Sequence, residues 1–138
     1  MHSAIGEVKQ QKETHYDPVR QKNGDDTGVP VIREAFVAPT REEAIGVAER
    51  HLWDKYQRYI DWGQDEAMED RQELHRPFEE LAEDRLLATP ETVCRELERY
   101  ERELNAKLVL FRYHWLGLSC ERARGTIELT GDEVILNV

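Results

Sequence analysis

With 138 residues, the chain is long enough for one domain with a substantial core and short for most catalytic barrels. Its 29 acidic residues against 19 lysines and arginines give a formal charge of -10, a balance that opposes nonspecific binding to nucleic acid or to an anionic membrane. There is no run of about 18 apolar residues and the N-terminus has no secretion-type apolar core, so a soluble, cytoplasmic protein without a membrane partner is expected.

Residues Met1 to Val29 carry a weak helical pattern from Val8 to Tyr16, interrupted at Asp17-Pro18, and then the turn-forming cluster Asn23 to Gly28. A marginal helix followed by a loop is expected, so residues 1–28 read as an N-terminal remnant and 29–138 as the folded portion. Val29 to Ala38 reads as a strand, with Pro30 near its start, where a missing N–H is tolerated. Side-chain alternation puts Arg33 with Val31, Ala35 and Val37, opposite Ile32, Glu34 and Phe36.

Thr40 and Glu43 have the spacing of a capping box and open a helix. Its stripe of Ala44, Val47, Ala48, Leu52, Tyr56, Tyr59 and Ile60 runs to about Trp62, and Gly63 ends it. From Gly63 to Asp84 the periodicity degrades into an acidic surface excursion, with a short helix expected from Phe78. Arg85 to Ala88 forms a short strand, and Thr89-Pro90 caps a helix whose apolar face is Val93, Leu97, Tyr100 and Leu104, ending at Asn105.

Lys107 to Leu118, KLVLFRYHWLGL, opens with four consecutive apolar residues, Leu108 to Phe111, and reads as a strand covered on both faces. Alternation along it sends Arg112 and His114 one way and Tyr113 and Trp115 the other. Ser119 caps a last helix through about Leu129, which Gly125 and Gly131 weaken, and Val134 to Val138 reads as a frayed apolar tail. The alternation of strands and helices predicts an α/β fold with a parallel sheet of about three strands.

Local catalytic signatures are absent: there is no glycine-rich phosphate loop, G-x-S-x-G, H-E-x-x-H or C-x-x-C. Cys94 and Cys120 have no second thiol or histidine at ligand spacing, so reduced thiols and no metal are expected. The residues that stand out are Arg33 and Arg112, which an apolar strand must pair with a carboxylate such as Glu34 or with a ligand, and His114 at a strand's carboxyl end. Arginine greatly outnumbers lysine, and this surface suits high salt, where self-repulsion is screened.

VPVIREAFVAPTREEAIGVAERHL, KYQRYIDWGQDEA and PFEELAEDRLLATPETVCRELERYERELNAKLVLFRYHWLGL together resemble the C-terminal portion of bacterial-luciferase-like, flavin-dependent monooxygenases. The resemblance runs from about Val29 to about Val134 and implies the last βα units, about strands six to eight, of a TIM barrel. It also implies FMN or a deazaflavin coenzyme and a small organic substrate oxidised with molecular oxygen. On this mapping Arg33, Arg112, His114 and Trp115 are pocket candidates for substrate or flavin, with no general base assigned. The chain departs from the family at Ala88, where glycine is usual, at Leu116, where W-P-G is common, and at Thr130, where an aromatic is usual. The first five strands have no counterpart here.

Three βα units cannot close an eight-stranded barrel, so the sheet's edges should stay open. A complementary barrel-half chain or a homo-oligomer is the expected partner. The competing expectation is a noncatalytic interaction or subunit module that retains part of the fold.

Overall fold

Local hydrogen-bonding chemistry sets most of the element boundaries. The computed structural model describes residues 4–18, 28–67, 75 and 77–138; the turn-forming cluster Asn23 to Thr27 and much of the acidic excursion lie outside the described residues. Helix α1 (Ala4–Gln11) continues as a π-helical turn, Lys12–Tyr16. Helix α2 (Arg41–Asp61) starts where the Thr40 hydroxyl accepts from the Glu43 amide at 3.2 Å, and Gly63, with φ +73°, follows its end. A 3-10 turn (Gln64–Ala67) and α3 (Phe78–Glu83) follow.

Helix α4 (Pro90–Leu104) is capped by Thr89 at its start and by Asn105 in the left-handed region at its end, φ +51°. Helix α5 (Cys120–Glu133) is capped by Ser119 and runs four residues past the expected Leu129. Both Gly125 and Gly131 are therefore interior, and a Cβ on either would meet no atom within 4 Å. Val134 is buried rather than frayed, whereas Ile135, Leu136 and Val138 beyond it are exposed.

Strands β1 (Pro30–Val37), β2 (Leu86–Ala88) and β3 (Leu108–Arg112) form a parallel sheet, as the alternation of elements predicts, in the order β2-β1-β3. β1 is central because it alone is long enough to serve both neighbours. Residues 30–34 pair with β3, and 35–37 with β2. Successive strands of a barrel wall lie side by side, which would put β2 between the other two. Among the described residues the sheet is open and no closed barrel is seen.

Helices lie on both faces. On one, Ala44, Val47, Ala48, Leu52 and Tyr56 of α2 pack with Phe36, Ala38, Leu87 and Trp115. On the other, α1 and α4 bring Val8, Leu97, Tyr100 and Leu104 onto Val31, Ala35 and Leu86, and Val134 at the end of α5 joins Val37, Ala88 and Val93.

The expectation that β3 is covered on both faces is corrected. It is an edge strand: Val109 and Phe111 pack toward α4, while Leu108 and Leu110 are 54% and 47% exposed. Helix α2 reaches the carboxyl half of β1 and β2, and among the described residues no helix covers the strip formed by Leu108, Leu110 and Ile32, itself 48% exposed.

Candidate functional site

Parallel register partners put their side chains on the same face, and Glu34 of β1 is partnered with Arg112 at the end of β3. The Glu34 side chain is only 10% exposed, so its charge needs compensation. Lys55, from α2, forms an ion pair with Glu34 Oε1, and the indole Nε1–H of Trp115 donates to Oε2 at 2.7 Å. Arg112 Nη1 lies 3.7 Å from Oε1, an ion pair too long for a hydrogen bond. The carboxylate thus joins three elements: β1, α2 and the segment leaving β3.

Trp115 is buried against Phe36, ring centroids 6.1 Å apart. The turn after it closes through Leu118 N–H to Trp115 C=O at 3.0 Å. Gly117 has φ +82°, and a Cβ there would come within 3.3 Å of His51 Nδ1, so both backbone conformation and space favour glycine.

The four sequence candidates do not form one pocket. Arg112 and Trp115 meet at Glu34, whereas alternation along an extended strand would have sent them to opposite faces. The strand stops at Arg112, so the alternation does not extend to Trp115. His114 is exposed and outside the cluster. Arg33 lies on the opposite face: its Nε donates to the Tyr100 hydroxyl at 3.3 Å, its Nη1 donates to the Ile32 carbonyl at 2.9 Å, and its guanidinium sits 5.4 Å from the Tyr100 ring centroid. Arg33 Nη2 is buried without a hydrogen-bond partner among the described residues. Burial raises the Tyr100 hydroxyl above its ordinary pKa, with Arg33 opposing the shift.

Lys55 is the residue that sequence reasoning missed. Its only signal is position: it lies between Leu52 and Tyr56 on the apolar side of α2. Glu34 was legible as an internal carboxylate able to neutralise an arginine, and it does so for Arg112.

A second polar chain fixes the carboxyl end of β1. The Thr126 hydroxyl accepts from Val37 N–H at 2.8 Å and donates to Val37 C=O at 3.0 Å. Tyr113 donates to Thr130 Oγ1 at 2.9 Å, and Thr130 donates to the Thr126 carbonyl one turn back at 2.6 Å. Burial raises the Tyr113 pKa, and the Thr130 contact opposes this. Thr130, a departure from the resembled family, is thus a working member of this chain. Beside it an open groove of about 590 Å³ runs past Ala38, Pro39, Glu43, Ser119 and Arg122.

Chemically, the Glu34 carboxylate is a held anchor: both oxygens are engaged, so it is poorly placed to take a proton from a substrate. Among the described residues no group of three or more His, Cys, Asp or Glu side chains could hold a metal ion, and no helix is long and apolar enough to cross a membrane. Comparison of the chain with family models, curated proteins and solved structures returns no match.

Proposed function

We propose that the chain is a subunit module that completes its sheet against another polypeptide, and that the completed assembly is a flavin-dependent, luciferase-like oxidoreductase. The observation that carries the first half is the apolar strip Ile32, Leu108 and Leu110 beside the open edge of β3. An edge strand offers unpaired N–H and C=O groups, and an apolar face beside it adds a driving force for association.

The second half rests on the sequence resemblance from Val29 to Val134. On this reading a complementary chain supplies the remaining strands and most contacts to FMN or a deazaflavin. The bound flavin would supply oxygen activation or hydride transfer. Of this chain's candidates, Trp115 is buried with its N–H committed to Glu34. The exposed Arg112 and His114 are the ones that would meet flavin or substrate, with the Glu34 cluster holding Arg112 in place.

The strand order favours a second reading, a noncatalytic interaction module, because β3 lies beside β1 rather than β2. A single experiment separates the two. In a background with Cys94 and Cys120 replaced by serine, Ile32→Cys with Leu110→Cys reports β1–β3 adjacency by short bifunctional cross-linking, while FMN fluorescence reports binding. The enzyme reading expects saturable flavin binding once a chain carrying the missing strands is added, together with loss of the β1–β3 cross-link. Retention of the cross-link with no flavin binding leaves the noncatalytic module and rejects the flavin half.

A further inference from the structure

Among the described residues, two groups of neighbouring apolar side chains are exposed. One is the strip of Ile32, Leu108 and Leu110 on the α2 side of the sheet. The other is the segment after α5, where Ile135, Leu136 and Val138 are 59%, 79% and 63% exposed. They cannot meet within one chain. Val134 is buried against Val37, Ala88 and Val93 on the α4 side, so the four residues beyond it start on the face away from the strip.

Their charges are complementary. Arg112 sits at the carboxyl end of the strip and is mostly exposed, its ion pair with Glu34 being long. Asp132 and Glu133 are exposed immediately ahead of the apolar segment. Edge-to-edge pairing of β3 with β3 would satisfy backbone groups, yet it would set two uncovered strips side by side and double the exposed apolar floor. Apolar side chains from a second copy cover the strip; a second β3 edge does not.

Building on the reading of the apolar strip beside β3 as an interface, we infer that, in the absence of a complementary chain, its occupant is a second copy of this chain. Segment Ile135–Val138 of one copy packs on Ile32, Leu108 and Leu110 of the other, with Asp132 and Glu133 facing Arg112. The contact is reciprocal about a twofold axis. One such contact is smaller than the roughly 1,200 Å² at the low end of stable interfaces, and two approach it. The dimer is therefore weak and concentration-dependent.

The test is complementation in analytical ultracentrifugation. A strip variant, Leu110→Asp, keeps the segment; a segment variant, Ile135→Ser with Leu136→Ser and Val138→Ser, keeps the strip and the buried Val134. Each alone is expected to weaken dimerisation at least tenfold, and their equimolar mixture to associate more tightly than either alone but less than wild type, because one of the two contacts then has both its strip and its segment intact. Circular dichroism melts confirm that each variant folds. A charge exchange, Arg112→Glu against Asp132→Arg with Glu133→Arg, is expected to pair in the mixture better than either does alone. If wild type self-associates and the segment variant does so equally, the segment contact is wrong while the open-sheet reading stands. A wild-type chain that stays monomeric up to millimolar concentration overturns the self-pairing, and the open-sheet reading then rests on the complementary-chain experiment.

Discussion

The two edges of the sheet are held in different ways. β2 is three residues long, and all three are buried, with α2 and α3 packed against one side and α4 against the other. β3 is longer and opens with four consecutive apolar residues, yet one of its faces is open. Apolarity of a run therefore does not decide its cover; the reach of the helices does. β2 is secured by apolar burial, whereas the end of β3 is secured by Glu34, which engages Arg112 and Trp115 from the central strand.

Removing Glu34 is the most direct way to break this contrast. Glu34→Ala leaves Lys55 and the indole N–H of Trp115 without their acceptor in a partly buried place, and a loss of about 3 kcal/mol is expected in urea denaturation at neutral pH. Pairing it with Lys55→Met should return much of that loss, because the stranded ammonium goes with it. If Glu34→Ala costs less than about 1 kcal/mol, apolar contacts hold the end of β3 as they hold β2.

Truncations on the two edges measure the same contrast from the apolar side. Leu87→Ala in β2 opens a cavity against α2 and should cost about 2 to 4 kcal/mol. Leu110→Ala in β3 trims a half-exposed side chain and should cost less than about 1 kcal/mol in dilute solution. Performed at high protein concentration, the second loss should grow if the strip is covered by a partner. Equal losses in dilute solution would mean that β3 is already covered in the isolated chain.

The parts legible in the sequence are those written in a few adjacent residues. The caps at Thr40, Thr89 and Ser119 and the terminator Asn105 are local hydrogen-bonding or backbone effects, and each stands where the pattern puts it. Strand order is different, because it depends on which strand is long enough to pair twice. β1, whose apolar run Arg33 and Glu34 interrupt, is the centre. At the candidate site, Glu34 was legible as an internal carboxylate able to neutralise a strand arginine; that the arginine is Arg112 depends on the register of β1 with β3. Lys55 was not legible, since its approach to Glu34 depends on how α2 lies across the sheet. His114 and Trp115 were placed by alternation beyond the point where β3 ends, so one falls outside the cluster and the other falls inside it by a different route.

The smallest effect expected concerns the polar chain at the carboxyl end of β1. Burial raises the Tyr113 hydroxyl above its ordinary pKa of 10.0, and the Thr130 contact only partly opposes this. The folded chain therefore keeps this proton at a pH where the unfolded chain releases it. Stability from this source is fully present below about pH 10 and falls as pH rises through the folded value, with a slope below the ~1.4 kcal/mol per pH unit of one full proton. Tyr100 is raised for the same first reason and contributes in the same direction. Denaturation midpoints followed from pH 8 to 11 should be flat and then fall, and Tyr113→Phe should flatten the fall without removing it, because Tyr100 remains. An unchanged slope in Tyr113→Phe would mean that this hydroxyl is as accessible in the folded chain as in the unfolded one, and that the link from β3 through Thr130 to Thr126 is open in solution.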